Sequence, residues 1–130
     1  MFISSFYAAI LALLIVYLAV VVIRSRRKNK VAFADGGVSE LTIARSAHSN
    51  ATEYIPIALL LMFGLEWNQG HETLLHIFGS VLVLGRLVHA RGILTETLKW
   101  RVAGMMMTFG VLVGLSLSNV IYLSILYFRF

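Results

Sequence analysis

The residues of this 130-residue sequence that are best suited to chemistry lie close together, between positions 42 and 54. A helix through this segment, at about 100° per residue, places six polar side chains within an arc of about 140°. These are Thr42, Arg45, Ser46, Ser49, Asn50 and Glu53, with His48 and Tyr54 on the two flanks. A guanidinium, an amide and a carboxylate on one face suit a small ligand that has both carboxylates and an ammonium group.

Partners for this arc come from two later segments. Arg86 and His89 are three residues apart and share a helix face, and Arg101 follows at the start of a further apolar segment. The alternative for each basic residue is an interfacial position near lipid headgroups, which is our interpretation of Arg91 and Lys99. The four histidines lack the spacing of a compact ligand set, so no metal site is predicted.

The composition is that of an integral membrane protein. The chain is 59% hydrophobic and 13% charged, with a mean hydropathy of +0.86, which is too apolar for a soluble domain. The net charge is +5, but the basic residues form no basic face on a soluble element, so nucleic acid is not an expected partner. Because the sequence has no cysteine, any thiol chemistry must come from a bound substrate.

Hydropathy predicts one domain over residues 1–130, an all-α integral membrane bundle of four transmembrane helices. The predicted helices cover about 2–23, 39–66, 72–88 and 100–127. The paired Gly36 and Gly37 predict a turn before the second helix, with Ser39 as its N-cap. Gly110, Gly114 and Ser118 predict a close packing face on the fourth helix.

The positive charges predict the orientation. Five basic residues follow the first helix, which indicates a cytoplasmic loop, and the turn at 67–70 has none. Both termini are therefore expected in the periplasm, with the polar arc near the cytoplasmic side. Charges at membrane depth are costly, so Arg45 and Glu53 should face the bundle interior or a wet cavity. The alternative is that Asn50 and Glu53 only tie helices together by hydrogen bonds.

Glutathione has the chemistry that the arc suits. Its carboxylates would pair with arginines and its amino group with Glu53. Its thiol, with an ordinary pKa of about 8.5, would need a nearby cation to become a thiolate.

Two motifs resemble one known family. The segment from Asn50 to Pro56, NATEYIP, resembles the signature of the MAPEG family, the membrane-associated proteins in eicosanoid and glutathione metabolism. GRLVH, residues 85–89, resembles the third-helix motif of that family. The resemblance implies a homotrimer that binds glutathione between subunits near the cytoplasmic surface, while a hydrophobic electrophile or lipid arrives from the bilayer.

The resemblance also assigns roles to residues. It implies that Asn50, Glu53 and Tyr54 bind glutathione, that Arg86 and His89 line the same pocket, and that Arg101 stabilises the thiolate as the catalytic residue. The chain departs from the family where Ser46 replaces the expected arginine and Ile93 an expected tyrosine. Arg45, one residue earlier and so rotated by about 100°, stays a candidate ligand.

Three functions remain open. The first is a bacterial inner-membrane glutathione transferase or peroxidase, and the second is a non-catalytic protein of the same fold that binds glutathione or lipid. The third is a small drug transporter, which is disfavoured because the first helix has no carboxylate and the arginines would repel cationic drugs.

Overall fold

Four helices, as predicted, make up the chain in a computed structural model that describes residues 3–128. They are α1 (Ile3–Asn29), α2 (Ser39–Trp67), α3 (Glu72–Leu94) and α4 (Leu98–Tyr127). The predicted start of the first helix, Phe2, lies outside the described residues. Helix α2 contacts all three other helices, so its polar arc lies where the bundle can surround it.

Two helices continue beyond their predicted ends. Helix α1 runs through the basic segment to Asn29, and α3 continues past His89 to Leu94. Arginine and lysine are good helix formers, so a change from apolar to basic residues need not end a helix. The predicted loop between the third and fourth helices is therefore a turn of residues 95–97, and Arg101 lies in the first turn of α4.

The turn between α1 and α2 confirms one local prediction and corrects another. Gly36 and Gly37 have φ angles of +57° and +72°, the left-handed region that glycine adopts without strain. The N-cap of α2 is Val38 and not Ser39, and it makes no side-chain capping bond. Ser39 is already the first helical residue.

Glycines bring α3 and α4 together, including one of the two that the sequence indicated. A Cβ added at Gly92 would overlap the backbone of Arg101, and one added at Gly104 would overlap the backbone of His89. In the predicted stripe, Gly114 does pack on Phe78, but Gly110 faces open space. The buried face of α4 runs through Gly104, Thr108, Val111 and Leu115, and Gly110 lies about 200° round the helix from Thr108.

In the part of the chain that the structure describes, three helices are long and apolar enough to cross a membrane: α1, α3 and residues 98–125 of α4. Helix α2 has 29 residues but is not among them. Its first half contains the polar arc, and its apolar second half begins near Pro56. The prediction of four membrane spans is thus confirmed by length and composition for α1, α3 and α4. Helix α2 is more polar because its first half contains the arc.

The end of the bundle where α1 begins contains a dense polar network, which we call the Glu66 network. The Glu66 carboxylate accepts hydrogen bonds from the backbone N–H groups of Ile3 and Ser4 and from the Ser4 hydroxyl. The Tyr7 hydroxyl is 3.0 Å from Nδ1 of His76 and 3.0 Å from the Ser80 hydroxyl, and its ring covers Gly79. These contacts tie α1 to α2 and α3.

Candidate functional site

A cavity of about 480 Å³ lies between the polar half of α2, the end of α3 and the start of α4. We call it the Asn50 cavity. It is lined by Thr42, Ile43, Ser46, Ser49, Asn50, Glu53, Gly92, Ile93, Glu96, Leu98 and Arg101. The six residues from α2 recur at spacings of one, three or four, as expected for one helix face. The structure therefore brings three predicted site residues, Asn50, Glu53 and Arg101, to one cavity.

Asn50 is held from behind by Arg86. The Arg86 side chain is fully buried, and its Nη2 donates a 2.7 Å hydrogen bond to Oδ1 of Asn50. Its guanidinium carbon also lies 5.9 Å from the centre of the Tyr54 ring, which is cation–π distance. Among the described residues, Nε and Nη1 of Arg86 have no hydrogen-bond partner. Within the described part of the chain, Asn50 is thus the only group that forms a hydrogen bond with the Arg86 side chain.

Glu53 projects from α2 one turn after Ser49. The Ser49 hydroxyl donates a 2.9 Å hydrogen bond to Oε1 of Glu53, and the carboxylate is exposed on the wall of the cavity. No arginine or lysine lies within ion-pair distance of it in the part of the chain that the structure describes. The negative charge is therefore open to a cationic group of a ligand.

His89 contacts the start of α4. Its Nδ1 lies 2.7 Å from the backbone oxygen of Arg101, and only 2% of the residue is exposed. Because a carbonyl oxygen only accepts, Nδ1 must have the hydrogen. The Arg101 guanidinium is exposed, lines the cavity and makes no hydrogen bond within residues 3–128.

Four predicted site residues are not on the wall of this cavity. Arg86 and His89 lie buried behind it, and the Tyr54 ring packs edge-on against Phe109 at 5.8 Å. Arg45 lies on the adjacent face of α2, in a second cavity of about 490 Å³ that Arg26 and His48 also line. The rotation of about 100° between Arg45 and Ser46 separates them, so Ser46 reaches both cavities and Arg45 only one.

A salt contact holds Arg45 near the first turn. Its Nη1 is 3.9 Å from Oδ2 of Asp35, whose Oδ1 accepts a 3.1 Å hydrogen bond from the N–H of Gly37. The Gly37 N–H, with a smaller contribution from Arg45, holds the pKa of the Asp35 carboxyl below its usual value. The exposed Asp35 therefore stays charged at neutral pH and faces Arg45.

Sequence reasoning missed Glu96, the second carboxylate on the wall. Glu96 lies in the turn between α3 and α4, with φ at +53°. The predicted helices, which end at 88 and begin at 100, leave it in a longer loop. With Glu53 and Arg101 it gives the cavity two acidic groups and one basic group. No signal in the sequence identifies it, because its position depends on where α3 ends.

The comparisons with known proteins agree with the two motifs. Residues 4–121 match the MAPEG family. The chain is 41% identical over 121 residues to inner membrane protein YecN of Escherichia coli strain K12, which covers 93% of this chain and 92% of that protein. The YecN protein of Escherichia coli O6:H1 gives the same figures. These names give a location and no reaction.

Proposed function

Because the chain belongs to the MAPEG family and is an integral inner membrane protein, we propose that it binds glutathione in the Asn50 cavity and passes its thiolate to hydrophobic electrophiles. The observation that supports the proposal most is that Asn50, Glu53 and Arg101 line one cavity. About 480 Å³ is also within the range of small-ligand sites.

Each residue has a chemical role in this proposal. The Glu53 carboxylate holds the ligand's ammonium group, and the Asn50 amide donates to a carboxylate or carbonyl. Arg101 stabilises the sulfur as a thiolate, whose ordinary pKa of about 8.5 would leave it mostly protonated at neutral pH. The sulfur then forms a bond to an electrophilic carbon as the leaving group departs with its electron pair. With a lipid hydroperoxide instead, the O–O bond breaks to give the alcohol and water, and two glutathione molecules supply the two electrons and two protons and end as the disulfide.

The assembly and the orientation are part of the proposal. The family likeness favours a homotrimer, in which Arg45, outside the Asn50 cavity of its own subunit, would be available to a neighbouring subunit. The cavity lies at the same end of the bundle as the basic residues that close α1, since Arg26 and Thr42 line one adjacent cavity. By the positive-inside rule that end is cytoplasmic, with both termini in the periplasm.

A non-catalytic binding protein is the second candidate, and one observation favours it. Within residues 3–128, Arg101 is the one guanidinium that lines the cavity, because Ser46 replaces an arginine and Arg45 faces Asp35 instead. Fewer cations mean less stabilisation of a thiolate. Turnover of an aromatic chloride by the purified protein with glutathione separates the two candidates, since a binding protein would show affinity without product.

The decisive experiment follows the glutathione thiol. Glutathione is titrated into the detergent-solubilised protein at pH 7, with calorimetry for binding and ultraviolet absorbance for the thiolate. We expect Glu53→Gln to raise Kd about tenfold, the scale of one lost charge-assisted hydrogen bond. We expect Arg101→Ala to abolish most of the thiolate absorbance while Kd rises less. The matched control is Arg91→Ala, an exposed arginine that does not line the cavity.

Two results would contradict the proposal. Absence of glutathione binding by the wild-type protein rejects it outright. Equal effects of Glu53→Gln and Arg101→Ala on both signals would reject the division of roles between the two residues.

A further inference from the structure

We propose that Arg86 and His89 are positioning residues that act through Asn50 and Arg101. They lie three residues apart on one face of α3, where they are 0% and 2% exposed. From that face Arg86 reaches α2 and His89 reaches α4, the two helices that supply the polar wall of the cavity. Two of the measurements that test the inference, the glutathione Kd and the thiolate absorbance, rest on the proposed function. The third, hydrogen–deuterium exchange of the ligand-free protein, is independent of it.

Arg86 fixes which end of the Asn50 amide faces the cavity. An amide has an acceptor oxygen and a donor nitrogen, which exchange places when the group rotates by 180°. Since Oδ1 accepts the 2.7 Å hydrogen bond from Arg86, the Nδ2 group with its two N–H donors is what remains for a ligand. Asn50 therefore selects a carboxylate or carbonyl at this position and not an ammonium group.

His89 fixes the backbone from which the Arg101 side chain projects. The 2.7 Å bond from Nδ1 to the Arg101 oxygen joins α3 to the first turn of α4. Gly92 leaves room for the Arg101 backbone on one side, and Gly104 leaves room for the His89 backbone on the other. These contacts leave the start of α4 little freedom to shift, so the Arg101 side chain projects from a fixed backbone position.

The His89 contribution is tested with a pair of substitutions. In His89→Asn the side-chain nitrogen is bonded to Cγ, as Nδ1 is in histidine, so it can still donate to the Arg101 oxygen; His89→Leu has no donor. At saturating glutathione we expect His89→Asn to keep the thiolate absorbance within twofold of wild type. We expect His89→Leu to lose it tenfold or more, with Kd changed less than threefold. His76→Leu, at the other end of α3, is the matched control and should change neither signal.

Either of two results overturns the role of His89. Equal loss of thiolate absorbance in His89→Asn and His89→Leu would mean that the imidazole itself acts on the ligand. Full absorbance in His89→Leu would mean that the bond to Arg101 does not matter.

The Arg86 contribution predicts the opposite pattern. Arg86→Met removes the donor to Asn50 while keeping a side chain of similar length, whereas Arg86→Lys keeps a charged donor group. We expect Arg86→Met to raise Kd about tenfold and Arg86→Lys to remain within threefold of wild type, with the thiolate fraction at saturation unchanged in both. A loss of thiolate at saturation in Arg86→Met, or an unchanged Kd, would overturn the role of Arg86.

Hydrogen–deuterium exchange of the ligand-free protein separates this inference from the proposed function. Backbone amides of residues 98–104 should exchange at least tenfold faster in His89→Leu and at the wild-type rate in His89→Asn. If the wild-type protein binds no glutathione, the proposed function fails but this comparison still decides the positioning role. Wild-type exchange in His89→Leu would then overturn it.

Discussion

The two ends of the bundle both contain polar side chains within helices, but these side chains differ in how far the protein satisfies them. In the Glu66 network the carboxylate accepts from three donors, and the Tyr7 hydroxyl meets His76 and Ser80. At the Asn50 cavity, Glu53 meets only the Ser49 hydroxyl, and Arg101 has no side-chain hydrogen bond among residues 3–128.

This difference separates polar groups that hold helices together from polar groups that are available to a ligand. Glu53 and Arg101 are exposed on the lining of the cavity, so their remaining hydrogen-bonding capacity is available to a ligand. The sequence left open that Asn50 and Glu53 only join helices. Glu66 and Tyr7 have that role at one end of the bundle, and the Asn50 oxygen also joins α2 to α3 through Arg86. Asn50 nevertheless keeps its N–H donors, and the Glu53 side chain bonds only to Ser49 of its own helix among residues 3–128.

Glycine substitutions give the strongest test of this comparison. In Gly92→Ala the new Cβ would overlap the backbone of Arg101, which no side-chain rotation relieves, so the start of α4 must move. We expect the thiolate signal to fall more than tenfold. In Gly79→Ala the overlap is with the Tyr7 ring at the other end, and we expect lower thermal stability with glutathione Kd within twofold. Both are measured by thermal unfolding in detergent and by titration.

The same pair has a clear contradicting outcome. If Gly79→Ala weakens glutathione binding as much as Gly92→Ala does, the two ends are coupled and the comparison between them fails.

Matched carboxylate substitutions sharpen the comparison at smaller scale. Glu66→Gln replaces a charged acceptor of three hydrogen bonds by a neutral one, and should destabilise the protein by about 1–3 kcal/mol. Glu53→Gln removes an exposed charge with one hydroxyl partner, and should change stability by less than about 0.5 kcal/mol. Denaturation of both variants against wild type measures the difference. A larger loss of stability in Glu53→Gln than in Glu66→Gln would mean that Glu53 serves the fold.

Much of the fold was predictable because hydropathy and charge act locally. The four helices, the glycine turn and the wall of α2 all follow from periodicity within one segment. The ends of α1 and α3 were misplaced because the basic residues that suggested loops are themselves helical. Gly110 was given a packing role because the spacing of small residues does not show which face of a helix a neighbour covers.

The candidate site was predictable where one helix supplies it and not where three helices meet. Asn50 and Glu53 follow from the arc and the motif on α2, and they do line the cavity. The buried state of Arg86 and His89 depends on how closely α3 approaches α2 and α4, which is a tertiary property. Glu96 is on the wall only because α3 extends to Leu94 and leaves a short turn.

Asp35 offers the smallest expected effect and concerns Arg45, on the face of α2 next to the Asn50 cavity. Its carboxyl should titrate below the ordinary value of 3.8, so the charged form stabilises the turn above that pH, and this contribution is lost as pH falls through the lower folded pKa. Because the Gly37 N–H is the larger cause, Arg45→Ala should raise the midpoint only slightly in a carboxyl NMR titration.

The same contact tests whether Arg45 takes part in binding. Asp35→Asn removes the charge that faces Arg45 while keeping an acceptor for the Gly37 N–H. Exposed ion pairs contribute little, and Arg45 does not line the Asn50 cavity of its own subunit, so glutathione Kd should change less than twofold. A tenfold gain in affinity would instead mean that Asp35 restrains an arginine that a neighbouring subunit's ligand uses, and the Arg45 face of α2 would then belong to the site.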